Sequence, residues 1–252
     1  MLLKRIMPCL LFNGKALVKT KKFKDADYIG DPINAIKIYN EKEVDELILL
    51  DITASREKRK PHFEKIQEFA SECFMPFTYG GGVSEPDDFK KLFNMGVEKV
   101  ALNTLLFTNP GIVKEAVKIF GSQAIVAVVD VKSGLLGIKK VYSHMGNPVQ
   151  ADLKEYLAYL ENEIGIGEIV LQNIDAEGTW SGYDHELIKN VSQQVKIPVI
   201  ALGGAANTDD IKKVLYESGA DAAALGSMAV YQKKDMGVLI RFPKRQTIII
   251  EE

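Results

Sequence analysis

The chain is 252 residues long, with 46% hydrophobic and 26% charged residues, an ordinary folded composition that excludes collagen-like repetition and wholesale disorder. Lys and Arg total 32 against 34 Asp and Glu, a formal charge of −2, and the even spread of both signs argues against a surface built for nucleic acid or anionic lipid. No run reaches the roughly 18 apolar residues of a membrane span. The opening MLLKRIMPCLL carries Lys4 and Arg5 inside its apolar stretch and has no cleavage site after it, so it reads as a strand of a cytoplasmic protein.

Taken in chain order, β-rich apolar runs occupy residues 3–11, 47–53, 76–80, 99–104, 124–130, 168–174, 198–202 and 221–226, with helix-like stretches between most of them. Eight strand-helix units in about 250 residues predict one α/β domain over residues 1–252, a single (β/α)8 TIM barrel whose buried parallel strands read as continuous Val/Ile/Leu runs. Periodicity alone leaves a doubly wound open sheet as the alternative. An internal repeat decides between them. PFTYGGGVSEPDDFKKLFNMG from Pro76 aligns with PVIALGGAANTDDIKKVLYESG from Pro198 at an offset of 122, which carries Gly81 to Gly203, Asp88 to Asp210, Lys91 to Lys213 and Leu92 to Val214. The same offset pairs Glu46 with Glu168. Two half-barrels, roughly 1–120 and 121–240, follow as the expectation. After the eighth strand, YQKKDMGVLIRFPKRQTIIIEE has Pro243 and a β-branched run at 247–250, which make a poor terminal helix, so an atypical tail is expected.

Cys9 and Cys73 lie in unlike contexts and read as free buried thiols, and His62, His144 and His185 share no ligand spacing, so neither a metal nor another cofactor is expected. Three other sets of residues carry chemistry. Gly80-Gly81-Gly82 and Gly203-Gly204 follow strands and precede helix starts, and turns of this kind can offer backbone N–H groups to an anion. Asn103-Thr104 and Gly226-Ser227 recur at about the same offset, so Gly82, Asn103 and Thr104 in one half and Gly204, Gly226 and Ser227 in the other predict a small-molecule substrate with two phosphates. The second set is the polar strand ends Asp51, Asp130, Asn173 and Asp175, where a carboxylate facing an apolar mouth could serve as acid or base or could anchor a loop. Laying KRIMPCLL on QAIVAVVD puts Leu11 where Asp130 stands, so the expected symmetric partner carboxylate is missing. The third set, Arg5, Glu46, Lys99 and Glu168, sits at strand starts and therefore at the opposite, amino-terminal mouth. Two acids and two bases there read either as a neutralising plug or as a gate.

Through LLKRIMPCL, GDPINA, LLDITAS, EKRK, PFTYGGG, LNT, FGSQAIV, VDVK, GEIVL, NIDAEGTWSGYD and GGA, nearly the whole chain resembles the cyclase (HisF) subunit of imidazole glycerol phosphate synthase. The resemblance implies a (β/α)8 barrel that takes ammonia from a glutaminase (HisH-like) subunit at its amino-terminal face, with Arg5, Glu46, Lys99 and Glu168 as the gate. It also implies substrate or phosphate contacts at Asp51, Gly82, Asn103, Thr104, Asp175, Gly178, Gly204, Gly226 and Ser227, a closing first loop bearing Lys19, and Asp130 as the general base. Leu11 stands at the position of the family's second aspartate, a loss worth about 10²–10⁴-fold in rate, and Glu177 replaces a common Asp. With its Pro-Cys-Leu-Leu opening the chain looks like the branch that helps a sugar amidotransferase make acetamidino groups on surface-polysaccharide precursors. The alternatives are an ordinary histidine-pathway cyclase and a non-catalytic scaffold for the glutaminase.

Overall fold

A computed structural model describes residues 4–134, 138–143 and 151–249; His144 and the run ends Leu3 and Ile250 lie outside them. In chain order the elements are β1 (Arg5–Phe12), β2 (Leu17–Lys21), β3 (Lys24–Gly30), α1 (Pro32–Glu41), β4 (Leu47–Asp51), α2 (Phe63–Glu72), β5 (Phe77–Gly80), α3 (Pro86–Asn94), β6 (Lys99–Leu102), α4 (Thr104–Thr108) and α5 (Pro110–Phe120). Then come β7 (Ile125–Ser133), β8 (Lys139–Tyr142), α6 (Leu153–Ala158) with a π turn at Tyr159–Ile164, β9 (Glu168–Asn173), α7 (His185–Ser192), β10 (Val199–Leu202), α8 (Thr208–Tyr216), β11 (Ala222–Leu225) and α9 (Ser227–Val230).

All eight expected runs are strands, and they pair parallel in the order β1, β4, β5, β6, β7, β9, β10, β11, with β11 returning to β1 through the register Arg5 to Ala222. The sheet is therefore a closed (β/α)8 barrel, and the open-sheet alternative falls away. Side chains alternate across each strand. One set, including Met7, Ile48, Ala101, Val128, Val170 and Ile200, fills the lumen, while the other packs under the helices. Burial on both faces is why these strands read as unbroken apolar runs. The helices begin where capping chemistry allows: the Asp31 side chain accepts from Asn34 N–H at the start of α1, Asn207 accepts from Asp210 N–H at α8, and Asp88 accepts from Glu85 N–H at α3.

Three strands fall outside the eight. The antiparallel pair β2–β3 follows β1, and β8 folds back on β7, all at the carboxyl-terminal mouth. The β2–β3 turn places Lys22 and Phe23 at φ 54° and 61°, the left-handed geometry that two-residue hairpins need and that Gly or Asn usually supplies. The eighth helix is only α9, and beyond it the tail runs along α1. Phe242 meets Tyr39 edge to face, the Tyr39 hydroxyl donates to Ala229 C=O at 2.9 Å, and Arg245 forms an ion pair with Asp45 near the amino-terminal mouth. Ile248 and Ile249 are buried, so the tail does the covering that a last helix would do.

At the amino-terminal mouth the four strand-start charges close a ring. Arg5 pairs with Glu46 at 2.8 Å and with Glu168, Lys99 reaches the same two carboxylates at 2.9 Å each, and Thr78 donates to Glu46 at 2.6 Å. Both carboxylates are buried and each meets two cations, so neither charge is left uncompensated. Replacing Arg5 by Ala leaves two facing acids with Lys99 alone. The expected loss is about 3 kcal/mol of stability, read from urea unfolding; an unmoved midpoint would show that the ring ties nothing together.

Candidate functional site

At the opposite mouth the strand ends frame a cavity of about 290 Å³ whose wall includes Leu11, Gly82, Asn103, Thr104, Asp130 and Gln172. The alternation that sends Arg5, Met7 and Cys9 inward also sends Leu11 inward, just as Val126 and Val128 set the phase of Asp130. Leu11 and the expected base thus face the same space. Asp130 is 2% exposed; Asn103 Nδ2 donates to its Oδ2 at 3.3 Å, and its Oδ1 has no hydrogen-bond partner among the described residues. Burial pushes its pKa up to about 8, so near neutral pH this carboxyl can both hold and release a proton.

Asp51 has a different occupation. Arg59 grips both of its oxygens, at 2.8 and 2.9 Å, and Oδ1 also accepts from the N–H groups of Thr53 and Ala54. This geometry gives Asp51 a loop-holding role, and the residue also lines the large cavity. Gly81 packs so closely on it that an added Cβ would lie 2.4 Å from Asp51 C=O, at φ 120°. Its counterpart Gly203 stands in the same relation to Asn173, where an added Cβ would lie 2.7 Å from the C=O. Asp175 is likewise a clamp: it accepts from Ser133 N–H at 2.8 Å, tying the β7 end to the loop after β9.

The two expected phosphate sets do not share one open space. Gly82, Asn103 and Thr104 line the large cavity, whereas Gly178, Gly204, Gly226 and Ser227 line a neighbouring pocket of only about 20 Å³. Lys19 forms part of its wall. Its ammonium donates to Thr20 C=O at 2.8 Å and is ion-paired with buried Glu177, and an added Cβ on Gly226 would lie 3.2 Å from the lysine chain. Glu177 also accepts from Thr20 Oγ1 and Phe23 N–H at 3.1 Å each, while its C=O accepts from Lys22 N–H at 3.0 Å. One carboxylate therefore neutralises Lys19 and holds the left-handed turn of the hairpin against the mouth. Trp180, beside this pocket, carries φ 60°, a costly backbone conformation for so large a residue.

Sequence reading missed two residues of the mouth. Arg56 is exposed on the rim of the large cavity, a cation in the loop after β4, and Gln172 projects inward from the end of β9. The phase set by Glu168 and Val170 was the signal for Gln172. Of the histidines, His185 sits between Asp210 at 2.8 Å and Ser218 at 2.9 Å, and Asp210 in turn accepts from Tyr183 and Ala206 N–H, a clamp under the second pocket. Among the described residues no group of His, Cys, Asp or Glu is arranged to hold a metal, both cysteines are free, and no helix is long and apolar enough to cross a membrane.

A closed barrel with a strand-end carboxyl and glycine-rich turns at one mouth and a charged ring at the other defines a class of α/β barrel proteins, and the chain's relatives narrow it. The model of the histidine biosynthesis protein family matches residues 5–235. Over 247 residues, 96% of this chain and 97% of the relative, the chain is 44% identical to a Pseudomonas aeruginosa protein provisionally named imidazole glycerol phosphate synthase subunit hisF2. It is 38% identical over 240 residues to imidazole glycerol phosphate synthase subunit HisF of Geobacillus thermodenitrificans, and 37% over 257 residues to the HisF of Methanococcus vannielii, covering 94% of each chain in both cases. The chain belongs to the histidine biosynthesis protein family, as a subunit of the HisF type.

Two outcomes follow from the geometry. The folded state keeps the Asp130 proton up to about pH 8 while the unfolded chain releases it near 4, so stability falls as pH rises between these values and levels off above them. Asp130→Asn is expected to melt above wild type, with a gap that widens from pH 5 to pH 8 and then stays constant; a pH-independent gap would contradict this. Glu177→Gln is expected to free the hairpin, with trypsin cleaving at Lys21–Lys24 about tenfold faster than in wild type while the melting temperature of the barrel changes little.

Proposed function

We propose that this HisF-type subunit receives ammonia from a glutaminase (HisH-like) subunit at its amino-terminal face and carries it up the lumen to an acceptor at the carboxyl-terminal mouth, in the amidation of a surface-polysaccharide sugar. Support at the lower face comes from the ring of Arg5, Glu46, Lys99 and Glu168, which stands as the gate, and from Phe74, Ile119 and Tyr216, large apolar side chains exposed where α2, α5 and α8 end. Above the ring the lumen is walled by Met7, Ile48, Ala101, Val126, Ala222 and Ala224, an apolar path suited to a neutral molecule and not to ammonium.

At the upper mouth the proposal assigns Asp130 as general base. Gly82, Asn103 and Thr104 would hold one phosphate; Gly178, Gly204, Gly226 and Ser227 would hold a second once Lys19 and the hairpin move. Asp51 and Asp175 would contact the substrate while keeping the loops in place. The half-barrels at roughly 1–120 and 121–240, a sugar amidotransferase as further partner and a cytoplasmic location belong to the same reading. No cofactor or metal is assigned a part in it.

The observation that carries the specialised role is Leu11 facing the same cavity as Asp130, because an alkyl side chain neither donates nor accepts a proton. The ordinary cyclase of histidine biosynthesis is the second reading, favoured by the retained Asp130, the open first cradle and the 37–38% identity to HisF subunits from two other organisms. A scaffold that only holds the glutaminase is the third. With ammonium supplied, wild type is expected to turn over the bisphosphate aminoimidazole-carboxamide ribonucleotide at least about 10²-fold more slowly than Leu11→Asp. Turnover by wild type at an ordinary cyclase rate would sink the sugar reading, and absence of turnover in both would leave the ordinary-cyclase reading without support.

A further inference from the structure

The β2–β3 hairpin also walls a separate cavity of about 210 Å³, together with the loop after β9 and the turn that follows α9. That turn is a small hairpin of its own, part of the atypical tail: Tyr231 bridges Val238 antiparallel, and Gln232 N–H donates to Gly237 C=O at 3.1 Å. Six residues of the wall set its chemistry. Lys21 and Lys234 stand against Asp27 and Asp235, and among the described residues none of the four makes an ion pair or a side-chain hydrogen bond. Trp180 and Tyr231, both half-buried, supply aromatic surface. Trp180 is held at its φ of 60° by its neighbours: Thr179 Oγ1 donates to Ala176 C=O at 2.7 Å and meets Ser181 Oγ at 2.7 Å, and Gly178 packs so tightly under the hairpin that an added Cβ would lie 2.6 Å from Thr20 C=O. Folding alone would favour Gly or Asn at that φ, so a bulky aromatic locked there beside a cavity is better accounted for by a ligand than by packing.

We propose that this cavity is a binding site for a neutral carbohydrate, with a sugar ring against Trp180 and Tyr231 and its hydroxyls shared among Lys21, Asp27, Lys234 and Asp235. The two cations and two carboxylates balance, so the cavity offers an anion no net attraction, and four charged groups make it a poor host for a purely apolar guest. A sugar hydroxyl both donates and accepts, so it can serve carboxylates and ammonium groups at once, through hydrogen bonds strengthened by the charge. The apolar C–H face of a pyranose ring covers aromatic surface that would otherwise stay wet. The volume is below the roughly 300–1,000 Å³ of a drug-sized site, which suits a single ring, free or at the end of a longer chain. The inference goes beyond the reading above, since it needs neither phosphate in the cradles nor ammonia in the lumen. It puts a sugar-holding surface on the same hairpin that borders the large cavity, where Thr20 lines both spaces.

Trp180 is the single tryptophan of the chain, so its fluorescence reads this cavity directly. The full chain is titrated with glucose and N-acetylglucosamine as neutral sugars, and with inorganic phosphate and free alanine as anionic and zwitterionic probes. Wild type is expected to show a saturable change in emission with at least one of the two sugars and none with phosphate or alanine. Lys234→Ala and Tyr231→Ala are each expected to weaken sugar binding at least about fivefold. Lys234 is exposed and unpaired, so its variant is expected to melt as wild type does, and it carries the test if Tyr231→Ala, whose ring also packs on the core, loses stability. No saturable response to either sugar overturns the proposal, as does a response to phosphate or alanine that the sugars do not match. Sugar binding that is unchanged in Lys234→Ala places the sugar elsewhere and overturns it as well.

Discussion

Closure of eight short parallel strands is the constraint from which the rest of the molecule follows. Once β11 pairs with β1, each strand has one face in the lumen, and a residue's place along the strand decides its layer. Charged side chains at the strand starts can only meet one another, middle positions must be apolar and small enough to fit, and the strand ends look into the upper mouth. Ala101, Ala222 and Ala224 keep the middle layer narrow between bulkier Met7 and Ile200.

This layering makes the two ends electrostatic opposites. Below, Arg5, Lys99, Glu46 and Glu168 neutralise each other in a closed cycle, so their burial leaves no carboxylate without a counter-charge. Above, Asp130 is buried with one weak amide contact and an oxygen that has no partner among the described residues, and desolvation lifts its pKa. A fold that satisfies four charges at one end and holds a buried carboxyl of raised pKa at the other marks the second end as its candidate reactive position.

The hairpin of β2 and β3 ties the upper mouth together. Its left-handed turn is built from Lys22 and Phe23 with no glycine, and its buried lysine would be an unpaired charge on its own; Glu177 answers both with three side-chain contacts and one from its carbonyl. Because the lysine lines a pocket together with Gly204 and Gly226, the position of the hairpin shapes that pocket. The large cavity beside Asn103 is walled by the hairpin too, through Thr20, Phe23, Lys24, Asp25 and Ala26.

The sequence by itself determined the eight strands, the capped helix starts, the ring and the confrontation of Leu11 with Asp130. These depend on a period of two residues, on local capping chemistry and on position within a strand, which are short-range and survive in the order of the residues. Even the reduced last helix was legible, from Pro243 and the β-branched run near it. Tertiary structure alone decided that Asp51 is held by Arg59, that Lys19 meets Glu177 across 158 residues and that Lys19 lies in the wall of the second cradle. The hairpin strands were hidden because KTKKFKDADY is polar on its face toward solvent and lacks the turn glycine that would have announced it. A side chain's partner in these cases comes from a distant strand or loop, and only closure of the barrel brings the two within hydrogen-bonding reach.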